Sequence, residues 1–511
     1  MISALRFRNH SNLIHDAMRY TFCLIDIRHV TFSHPNLDSR RATSSAATTP
    51  WYRAKLISQQ VLVCQLFSSL LVILDSNSCT HYNNPHMLRP FSDVIASYRD
   101  GHWCVRGHEA ITSSRPSYSD AGDFHTDAGE NRLENQKIHT QAIVVRSAYE
   151  DVFYAQLGHR AIQEWTTNPV WQPAYDQSGL VIVGYKDGFF DAAQAAGTGL
   201  VTVTDKDTLR GFYPPELRAD GLGSMIVPYA TYSQTSGSAK ASKSIELTMH
   251  AVRSMGGKIV AGKEACATRK DAAGQLTGIQ FKDGSMIQTD YAVVASGAWT
   301  ASAFPELGLD KVIFASGQSV ATIKLPDDIA DVYRRCPISL SYNAGFYIFP
   351  PNEDNIMKIC THSAGYTHTT PSSHISTPRT VLTDGKAGLQ IPTAMARTIR
   401  EMLRKVYPGI AHLPFESTRL CWYTYSNDED WIIDEAEECR NLFVATAGSG
   451  HGFKFLPVIG ELIVDRMQGT LAPEVAHKFS INKDRGPFRG GYGVLHQPIP
   501  LDLNDLCTDV N

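Results

Sequence analysis

The chain has 511 residues, which is enough for two to four domains with a large buried core, so small disulfide-stapled folds are excluded. Lys and Arg total 47 against 51 Asp and Glu, and the formal charge of -4 supplies no basic field for nucleic acid or an anionic membrane. Ten cysteines without a CxxC pair or a regular spacing favour free thiols in a reducing compartment.

The N-terminal part of the chain shows no targeting or membrane-spanning signal. Its most apolar segment, residues 61–74, is interrupted by polar residues and is too short to span a bilayer. The first residues lack the contiguous apolar run of a secretory signal, and the C-terminal TDVN is not a peroxisomal address. These observations predict a cytoplasmic protein that does not insert into membranes.

Residues 1–143 have poor periodicity and many Ser, His, Asn and Arg residues. Such a composition lacks the repeated apolar faces that offset the conformational entropy of the chain. We expect this region to be mostly irregular, with short helices near residues 54–74.

From residue 144 onward, helical and strand patterns alternate. Residues 150–166 carry apolar residues on one helical face, and residues 180–185 and 200–204 are apolar and β-branched, as in strands. Residues 240–257 form a second amphipathic pattern that ends at a Gly pair, and we expect a strand at 258–260. The alternation predicts a mixed α/β fold.

A predicted hairpin and a buried strand come next. Strands around 276–281 and 286–290 flank a Lys-Asp-Gly turn, and the apolar run 291–295 leads directly into Ser296 and Gly297. This layout is typical of the second half of a doubly wound nucleotide-binding domain, where the backbone approaches a ligand at the end of a strand.

The most informative stretch lies near the C-terminus. A predicted helix over 392–406 precedes a buried strand at 441–445, the glycine-rich loop 446–454 (TAGSGHGFK) and a helix over 456–467. The three glycines of the loop would let a flat ligand reach the backbone, and the helix N-terminus together with Lys454 favours an anion such as a reduced flavin. From spacing alone, a tight turn without a ligand is the simpler interpretation.

The segment SGHGFKFLPVIGE and residues 418–434 (TRLCWYTYSNDEDWIID) resemble the signature of the sarcosine oxidase and fructosyl amino acid oxidase family. Members of that family are FAD enzymes that oxidise the C–N bond of secondary amines with O2. The resemblance implies that Cys421 carries the flavin through a thioether bond and that Tyr423 lines the substrate pocket. The alternative for Cys421 is a buried apolar thiol. The resemblance also implies further cofactor-binding residues: Ala265, Gly297, Trp299, Gly448, Gly450, His451, Gly452, Phe453 and Lys454.

Residues 347–362 (YIFPPNEDNIMKICTH) match the same family. The resemblance implies that Tyr347 and His362 face the amine and that Lys358 activates oxygen beside the flavin, where its charge would favour superoxide formation. On a strand Lys358 and His362 point to the same face. The alternative is a solvated edge-strand lysine with an incidental histidine. Because fructosyl amino acid oxidases usually carry an acidic residue in place of His362, this position argues against a sugar-amine substrate.

Residues 145–149 (VRSAY) resemble the Arg-x-x-Tyr segment of the family, whose arginine holds the substrate carboxylate. The resemblance gives this role to Arg146, and Lys454 could clamp the same carboxylate. The alternative is a surface arginine. The family usually has a basic residue three positions earlier, where this chain has Ile143.

The family's N-terminal GxGxxG turn, which contacts the FAD pyrophosphate, is missing from the first 140 residues. The glycines there are Gly101, Gly107, Gly122 and Gly129, in a different arrangement. Either the upstream reading frame is misassigned or diverged, or the chain is a remnant that binds FAD poorly. The second function considered is therefore an inactive remnant or interaction module.

The resemblance implies a doubly wound FAD-binding domain interleaved with a mixed-sheet substrate domain. We expect small-molecule amine and O2 as substrates, a monomer, no nucleic-acid partner and no metal site. The amine could be sarcosine-like, pipecolate- or saccharopine-like, a fructosyl amine or an intermediate of secondary metabolism. The expected division is an irregular region 1–143, substrate-domain parts 144–225 and 306–420, FAD-domain parts 226–305 and 421–490, and a tail 491–511.

Overall fold

A computed structural model describes residues 142–507 except 185–190, 225–229, 255–256, 261 and 489–496, together with the backbone of three short strands further upstream. Most of the region predicted to be irregular, 1–143, therefore lies outside the described residues. The strands are β1 (Leu70–Leu74), β2 (Tyr98–Arg99), β3 (His102–Trp103), β4 (Ala142–Val145), β5 (Tyr175–Asp176), β6 (Leu180–Val183), β7 (Val201–Val203), β8 (Ala230–Ser233), β9 (Gly237–Lys240), β10 (Ala265–Lys270), β11 (Leu276–Phe281), β12 (Met286–Gln288), β13 (Tyr291–Ala295), β14 (Ile313–Lys324), β15 (Ile338–Ser341), β16 (Phe346–Ile348), β17 (Ile356–Thr361), β18 (Tyr366–Thr367), β19 (Phe415–Ser426), β20 (Ile432–Glu435), β21 (Leu442–Thr446) and β22 (Ile499–Pro500). The helices are α1 (Val152–Thr167), α2 (Asp191–Ala195), α3 (Lys206–Gly211), α4 (Pro215–Arg218), α5 (Ala241–Ser254), α6 (Thr300–Ala303), α7 (Asp327–Arg334), α8 (Val381–Asp384), α9 (Thr393–Val406), α10 (Leu456–Met467) and α11 (Pro473–Lys478).

The largest sheet in the described part of the chain has ten strands, in the order β22-β18-β14-β17-β16-β15-β6-β8-β7, with β19 on the other edge of β14. Strands β14 and β19 each have twelve residues and pair antiparallel along almost their whole length. Strand β6 runs parallel to β15 and antiparallel to β8. The sheet is therefore mixed, as the predicted substrate domain requires.

The two faces of this sheet have different roles because side chains alternate along each strand. On β17, Met357 and Ile359 belong to the apolar cluster that also contains Ile399 and Leu403 of α9. Lys358 and the alternate residues after it face the other side. We call this second side the front face, and α9 covers the back.

A second sheet has the order β1-β13-β21-β20, and its central strands β13 and β21 are parallel. Val293 of β13 packs into the core with α1, α5 and α10, whereas Ala292 and Val294 pack into the core beside β10 and β11. A strand buried on both faces reads as a continuous apolar run, which explains the sequence YAVVA. The mixed α/β class predicted from the sequence is confirmed.

Two predictions of local structure are wrong. Residues 70–74, expected within a helical region, form strand β1 antiparallel to β13, where their backbone groups complete the hydrogen bonds of that edge. Residues 258–260, expected as a strand, are not in regular structure, because no strand in the described part of the chain pairs with them.

The other elements are close to expectation. Helices α1, α5, α9 and α10 lie within three residues of the predicted bounds, and the hairpin β11–β12 turns at Gly284, whose φ is +83°. None of the helices among the described residues is both long enough and apolar enough to cross a bilayer. The predicted domain boundaries stay predictions.

Candidate functional site

The site lies where the front face of the large sheet meets the loops that follow β13 and β21. These two loops are adjacent because the parallel strands end side by side, and Oγ1 of Thr300 lies 3.1 Å from Oγ1 of Thr446. The turn Gly297–Trp299 packs against β19. The predicted cofactor residues Gly297 and Trp299 therefore lie next to the strand that carries Cys421.

The glycine-rich loop after β21 is held on β19 by its backbone. Three of its residues have left-handed φ values: 57° at Ala447, 47° at Ser449 and 70° at Gly450. A left-handed conformation costs non-glycine residues about 1–2 kcal/mol each, so the loop holds an unfavourable geometry. The N–H of Ser449 donates to the carbonyl of Thr424 at 2.8 Å, which fixes the loop against the front of β19.

Gly450 brings three predicted site residues together. A methyl group on its Cα would lie 2.9 Å from Cε2 of Tyr423 and 3.1 Å from Cε1 of His362. Only glycine permits both the left-handed φ and this close approach. Gly448 closes the same turn, because its carbonyl accepts from the N–H groups of His451 and Gly452.

His362 is held by a tyrosine that the motif comparison did not identify. Its Nε2 lies 2.8 Å from the hydroxyl of Tyr425. Burial, and then the positive charges of Lys454 and Arg146, lower the pKa of His362 to about 3, so the imidazole is neutral at ordinary pH. Strand alternation could have found Tyr425, since it follows Tyr423 by two residues on β19.

Tyr347 and Tyr423 meet across the front face. Their hydroxyl oxygens are 3.2 Å apart, and Tyr347 lies on β16 directly opposite Cys360 of β17. The two predicted substrate-pocket tyrosines therefore lie next to each other on the front face.

Lys358 is an interior residue. Strand β17 lies between β14 and β16, the lysine is only 5% exposed, and its Nζ donates to the carbonyl of Ala142 at 2.6 Å. Nζ also lies 5.1 Å from the centre of the Phe349 ring. The alternative of a solvated edge-strand lysine is therefore wrong.

Arg146 and Lys454 both contact Tyr149. The guanidinium carbon of Arg146 is 4.3 Å from the centre of the Tyr149 ring, and Nζ of Lys454 donates to the Tyr149 hydroxyl at 2.9 Å. Exposures of 6% and 4% exclude a surface arginine. Burial and the nearby Arg146 charge place the pKa of Lys454 well below its usual range. A buried pair of like charges is relieved by an anion, so the pair suits a carboxylate.

The ring of His451 takes part in aromatic packing. It stacks on Trp431 with ring centres 5.6 Å apart, and its Nε2 lies 3.0 Å from the carbonyl of Glu429. Phe453 is buried in the same core. Both residues stay predicted cofactor contacts, and these packing contacts occupy their side chains.

Ala265 and Cys421 differ in their surroundings. Ala265 is fully buried on β10 in the core with Ile279 and Val294, and this core also contains Ala447 at the start of the glycine-rich loop. Cys421 is partly exposed on the front face, whereas Cys360 beside it is fully buried. Cys421 is therefore not fully buried, although it packs against the apolar cluster that contains Cys360, and its role stays a prediction.

Sequence reasoning missed two charged residues near the site. Arg419 precedes Cys421 by two residues on β19, so strand alternation could have found it, and its Nη2 is buried without a hydrogen-bond partner among the described residues. Glu429 has a φ of +64°, and its Oε1 is likewise buried and unpartnered there. Burial, Asp428 and Asp430 raise the pKa of Glu429 to about 8. No sequence signal marks this carboxyl.

The site suits the ring end of a flavin. A partly exposed thiol, a strained glycine turn and the end of a parallel strand pair converge there, with cations on one side. The GxGxxG turn that would contact the pyrophosphate is missing from the sequence of the first 140 residues, nearly all of which lie outside the described residues.

Comparison with curated proteins finds related oxidases. L-saccharopine oxidase of Schizosaccharomyces pombe is 26% identical over 353 residues, which cover 65% of this chain and 80% of that protein. N-methyl-L-tryptophan oxidase of Escherichia coli is 26% identical over 370 residues, which cover 68% of this chain and 91% of that protein.

Comparison with solved structures supports the fold. Fructosyl peptide oxidase from E. terrenum matches with a TM-score of 0.61 at 22% identity, over 71% of this chain and 85% of that one. The fructosamine oxidase Amadoriase II from Aspergillus fumigatus matches with a TM-score of 0.60 at 20% identity, over 72% and 86% of the two chains.

The sequence profile of one enzyme family, FAD dependent oxidoreductase, matches residues 81–466. The match begins at residue 81, within the region 1–143 that was expected to be irregular, and thus upstream of the motifs that carry the family resemblance. It spans three quarters of the chain, and the chain belongs to the family of FAD-dependent oxidoreductases.

Proposed function

We propose that this protein is an amine oxidase, which removes two electrons and two protons from the CH–NH unit of a secondary amine to give an imine, while O2 is reduced to hydrogen peroxide. Bound FAD supplies the two-electron acceptor for the amine and the donor for oxygen. The observation that carries the proposal is the convergence of the Arg146–Lys454 pair, neutral His362 and the Gly450 turn on one pocket.

The cation pair defines the class of amine. Arg146 offers a planar fork and Lys454 a point charge, and together they suit a carboxylate. The saccharopine and N-methyltryptophan oxidases are named for amino acids with a secondary amine, which fits such a clamp. We therefore place the substrate among carboxylate-bearing secondary amines.

His362 suits this chemistry because it is neutral. A C–N bond that loses a hydride develops positive charge, and an imidazolium beside it would oppose that change. Burial and the neighbouring cations keep the imidazole unprotonated, and Tyr425 holds the ring in place. His362 thus orients the amine without adding a second positive charge.

Lys358 is assigned to the oxygen half-reaction. Its hydrogen bond to the Ala142 carbonyl and its burial fix Nζ on the front face. A preorganised cation stabilises negative charge as it develops on oxygen.

Cys421 is the proposed attachment point of the flavin. Its partial exposure on the front face, two residues before Tyr423, supports this assignment. Its thiol would hold bound FAD through a thioether: the sulfur and the flavin carbon would each lose one hydrogen as the C–S bond forms, and O2 would accept the two electrons and two protons.

The first experiment tests whether the purified chain carries flavin. Protein precipitated with acid should stay yellow, and Cys421→Ala should release the colour into the supernatant. Cys266→Ala is the matched control, because Cys266 is also a partly exposed free thiol but lies on β10. Flavin that stays with the Cys421→Ala pellet would contradict the attachment site.

The second candidate function is a remnant without catalysis. The first 140 residues lack a GxGxxG sequence, and this observation favours it. Colourless, folded protein made from a verified reading frame would support the remnant and reject the oxidase, whereas peroxide production with a secondary amino acid would reject the remnant.

A further inference from the structure

A chain of four hydrogen-bonding groups runs from Lys454 to the loop before β20. Nζ of Lys454 donates to the Tyr149 hydroxyl at 2.9 Å, this hydroxyl lies 3.2 Å from Nδ1 of His451, and Nε2 of His451 lies 3.0 Å from the carbonyl of Glu429. These residues come from three separate segments, and Tyr149 and His451 are 302 positions apart. The chain is therefore a tertiary feature of the fold.

The chemistry of its two ends fixes the direction of every bond. A carbonyl can only accept, so Nε2 of His451 must carry the hydrogen that it donates to Glu429. Nδ1 is then an acceptor and receives the hydroxyl hydrogen of Tyr149. The Tyr149 oxygen, having donated its hydrogen, accepts from the Lys454 ammonium, which can only donate.

This direction depends on a neutral His451. Burial, and then the charge of Lys454, place the pKa of His451 well below its usual value. Stacking on Trp431 and edge contact with Tyr154 at 4.9 Å hold the plane of the ring, and the contacts of Nδ1 with Tyr149 and of Nε2 with Glu429 define its orientation in that plane. A protonated ring would need an acceptor at Nδ1, which the Tyr149 hydroxyl could supply only by giving up its donation.

The orientation of the Tyr149 hydroxyl in turn fixes the ammonium group of Lys454. Its ammonium donates to Tyr149 and, also at 2.9 Å, to the carbonyl of His451. With two of three tetrahedral N–H groups fixed, the direction of the third is fixed as well. The guanidinium carbon of Arg146 and Nζ of Lys454 lie 4.3 Å and 5.5 Å from the centre of the same Tyr149 ring. Burial and Arg146 disfavour the charged amine, whereas an oriented acceptor stabilises it.

We propose that Tyr149, oriented by His451, is a positioning residue that keeps Lys454 charged and aimed at the carboxylate of the substrate. This inference rests on the proposed function only through the carboxylate clamp. The titratable groups around Lys454 in the described part of the chain are Arg146, Tyr149, His362 and His451. Because both histidines are neutral, Lys454 is the group whose deprotonation would weaken the clamp as pH rises.

The test measures binding of a carboxylate that cannot be oxidised. Thiophene-2-carboxylate is titrated by calorimetry into the purified wild-type protein and into Tyr149→Phe across a range from weakly acidic to alkaline pH. Affinity for the wild type should fall as pH rises through the pKa of Lys454. In Tyr149→Phe the acceptor is lost, the pKa of Lys454 falls, and the decline should begin about one pH unit lower, with roughly tenfold weaker binding at pH values where the wild type has begun to decline.

Tyr154→Phe is the matched control. Tyr154 packs against the same His451 ring, but its hydroxyl donates to Asp430 at 2.8 Å instead of contacting Lys454. It should lower thermal stability and leave the pH dependence of binding unchanged. A merely structural role for Tyr149 predicts equal behaviour of the two variants.

The possible outcomes separate this inference from the proposed function. An unshifted pH dependence in Tyr149→Phe, or an equal shift in Tyr154→Phe, would overturn the role of Tyr149. Wild-type protein that binds no carboxylate at any pH would overturn the clamp and the inference with it. The inference would be supported and the oxidase rejected if the wild type binds the probe, Tyr149→Phe shifts the pH dependence of binding, and the wild type oxidises no amine.

Discussion

Gly450 and Tyr423 touch so closely that a methyl group on the Gly450 Cα would lie 2.9 Å from Cε2 of the tyrosine ring. The glycine belongs to the loop after β21, whereas the ring belongs to β19 in the other sheet. This contact is one of the places where the two sheets meet, and it shapes the pocket between them.

Replacing Gly450 with Ala should therefore displace the tyrosine ring and His362 and impair function. We expect a rise in KM for the amine of about tenfold and altered visible absorbance of bound flavin, since a forced shift of well-packed groups costs about 1–3 kcal/mol. Steady-state kinetics and absorbance spectra measure both effects.

Gly469→Ala separates collision from backbone strain. Gly469 has nearly the same φ, +68°, but a methyl group there meets nothing within 4 Å. Both variants should lose about 1 kcal/mol of stability to backbone strain, whereas only Gly450→Ala should lose about 1–3 kcal/mol more to the collision and change the kinetics. Equal kinetics in the two variants would argue against the close packing of Gly450.

Lys358→Met should slow reoxidation by O2 far more than reduction by the amine. Removing a preorganised charge commonly costs about a hundredfold in rate, and the Met side chain has similar length. Stopped-flow measurements of the two half-reactions test this directly. Lys324→Met, at the exposed end of neighbouring β14, is the control and should change neither rate. Equal slowing of both half-reactions by Lys358→Met would contradict the assignment.

Local sequence patterns predicted the fold well where neighbours in the sequence decide the structure. Apolar patterns were sufficient to predict helices α1, α5, α9 and α10 and strand β13. An amphipathic spacing indicates a helix buried on one face, and an all-apolar run indicates a strand buried on both faces. The predictions for residues 70–74 and 258–260 were wrong because an apolar run forms a strand only where it can pair with the edge of a sheet.

The site was predictable in part for the same reason. Strand alternation placed Lys358 and His362 on one face, but it could not show that Tyr149 and His451 meet, since 302 positions separate them. The carboxyl of Glu429, whose Oε1 has no hydrogen-bond partner among the described residues, was equally hidden, because its burial depends on how the loop before β20 packs. Long-range contacts of this kind carry much of the electrostatics of the pocket.

The lowered pKa of His362 should make the stability of the protein depend on pH. The pKa of a histidine in the unfolded chain is about 6.5, and burial lowers the pKa of His362 to about 3. The unfolded state therefore binds the proton first, and stability falls as pH drops from about 6.5 toward 3, by up to about 1.4 kcal/mol per pH unit.

His362→Gln should remove part of this acid sensitivity. Urea unfolding near neutral pH and near pH 5 would show a smaller loss of free energy for the variant than for the wild type. His412→Gln, at an exposed position, should keep the wild-type loss. The remaining sensitivity of His362→Gln is expected to come from His451, whose pKa is also lowered by burial. An unchanged loss in His362→Gln would mean that this imidazole is protonated in the folded protein.

Glu429→Gln should stabilise the protein at neutral and mildly alkaline pH. An unfolded glutamate ionises above about pH 4.5, whereas burial and two acidic neighbours raise the pKa of Glu429 to about 8. The folded state binds the extra proton between these values, so wild-type stability declines as pH rises from about 4.5 to 8, by up to about 1.4 kcal/mol per unit. A glutamine has nearly the same shape and carries no such penalty.

Asp428→Asn is the matched control on the preceding residue. Its carboxylate pairs with Arg485 at 2.6 Å and with Lys483 at 2.8 Å, and these cations hold its pKa below the usual range despite the opposing effect of burial. Loss of this charge leaves buried Arg485 short of a partner, so Asp428→Asn should destabilise the protein by about 1–3 kcal/mol. Chemical denaturation at pH 6 and pH 8 measures both effects. At pH 8 the free energy of unfolding should be higher than that of the wild type in Glu429→Gln and lower in Asp428→Asn. Destabilisation by Glu429→Gln at pH 8 would show that its carboxylate is ionised and paired in the folded protein.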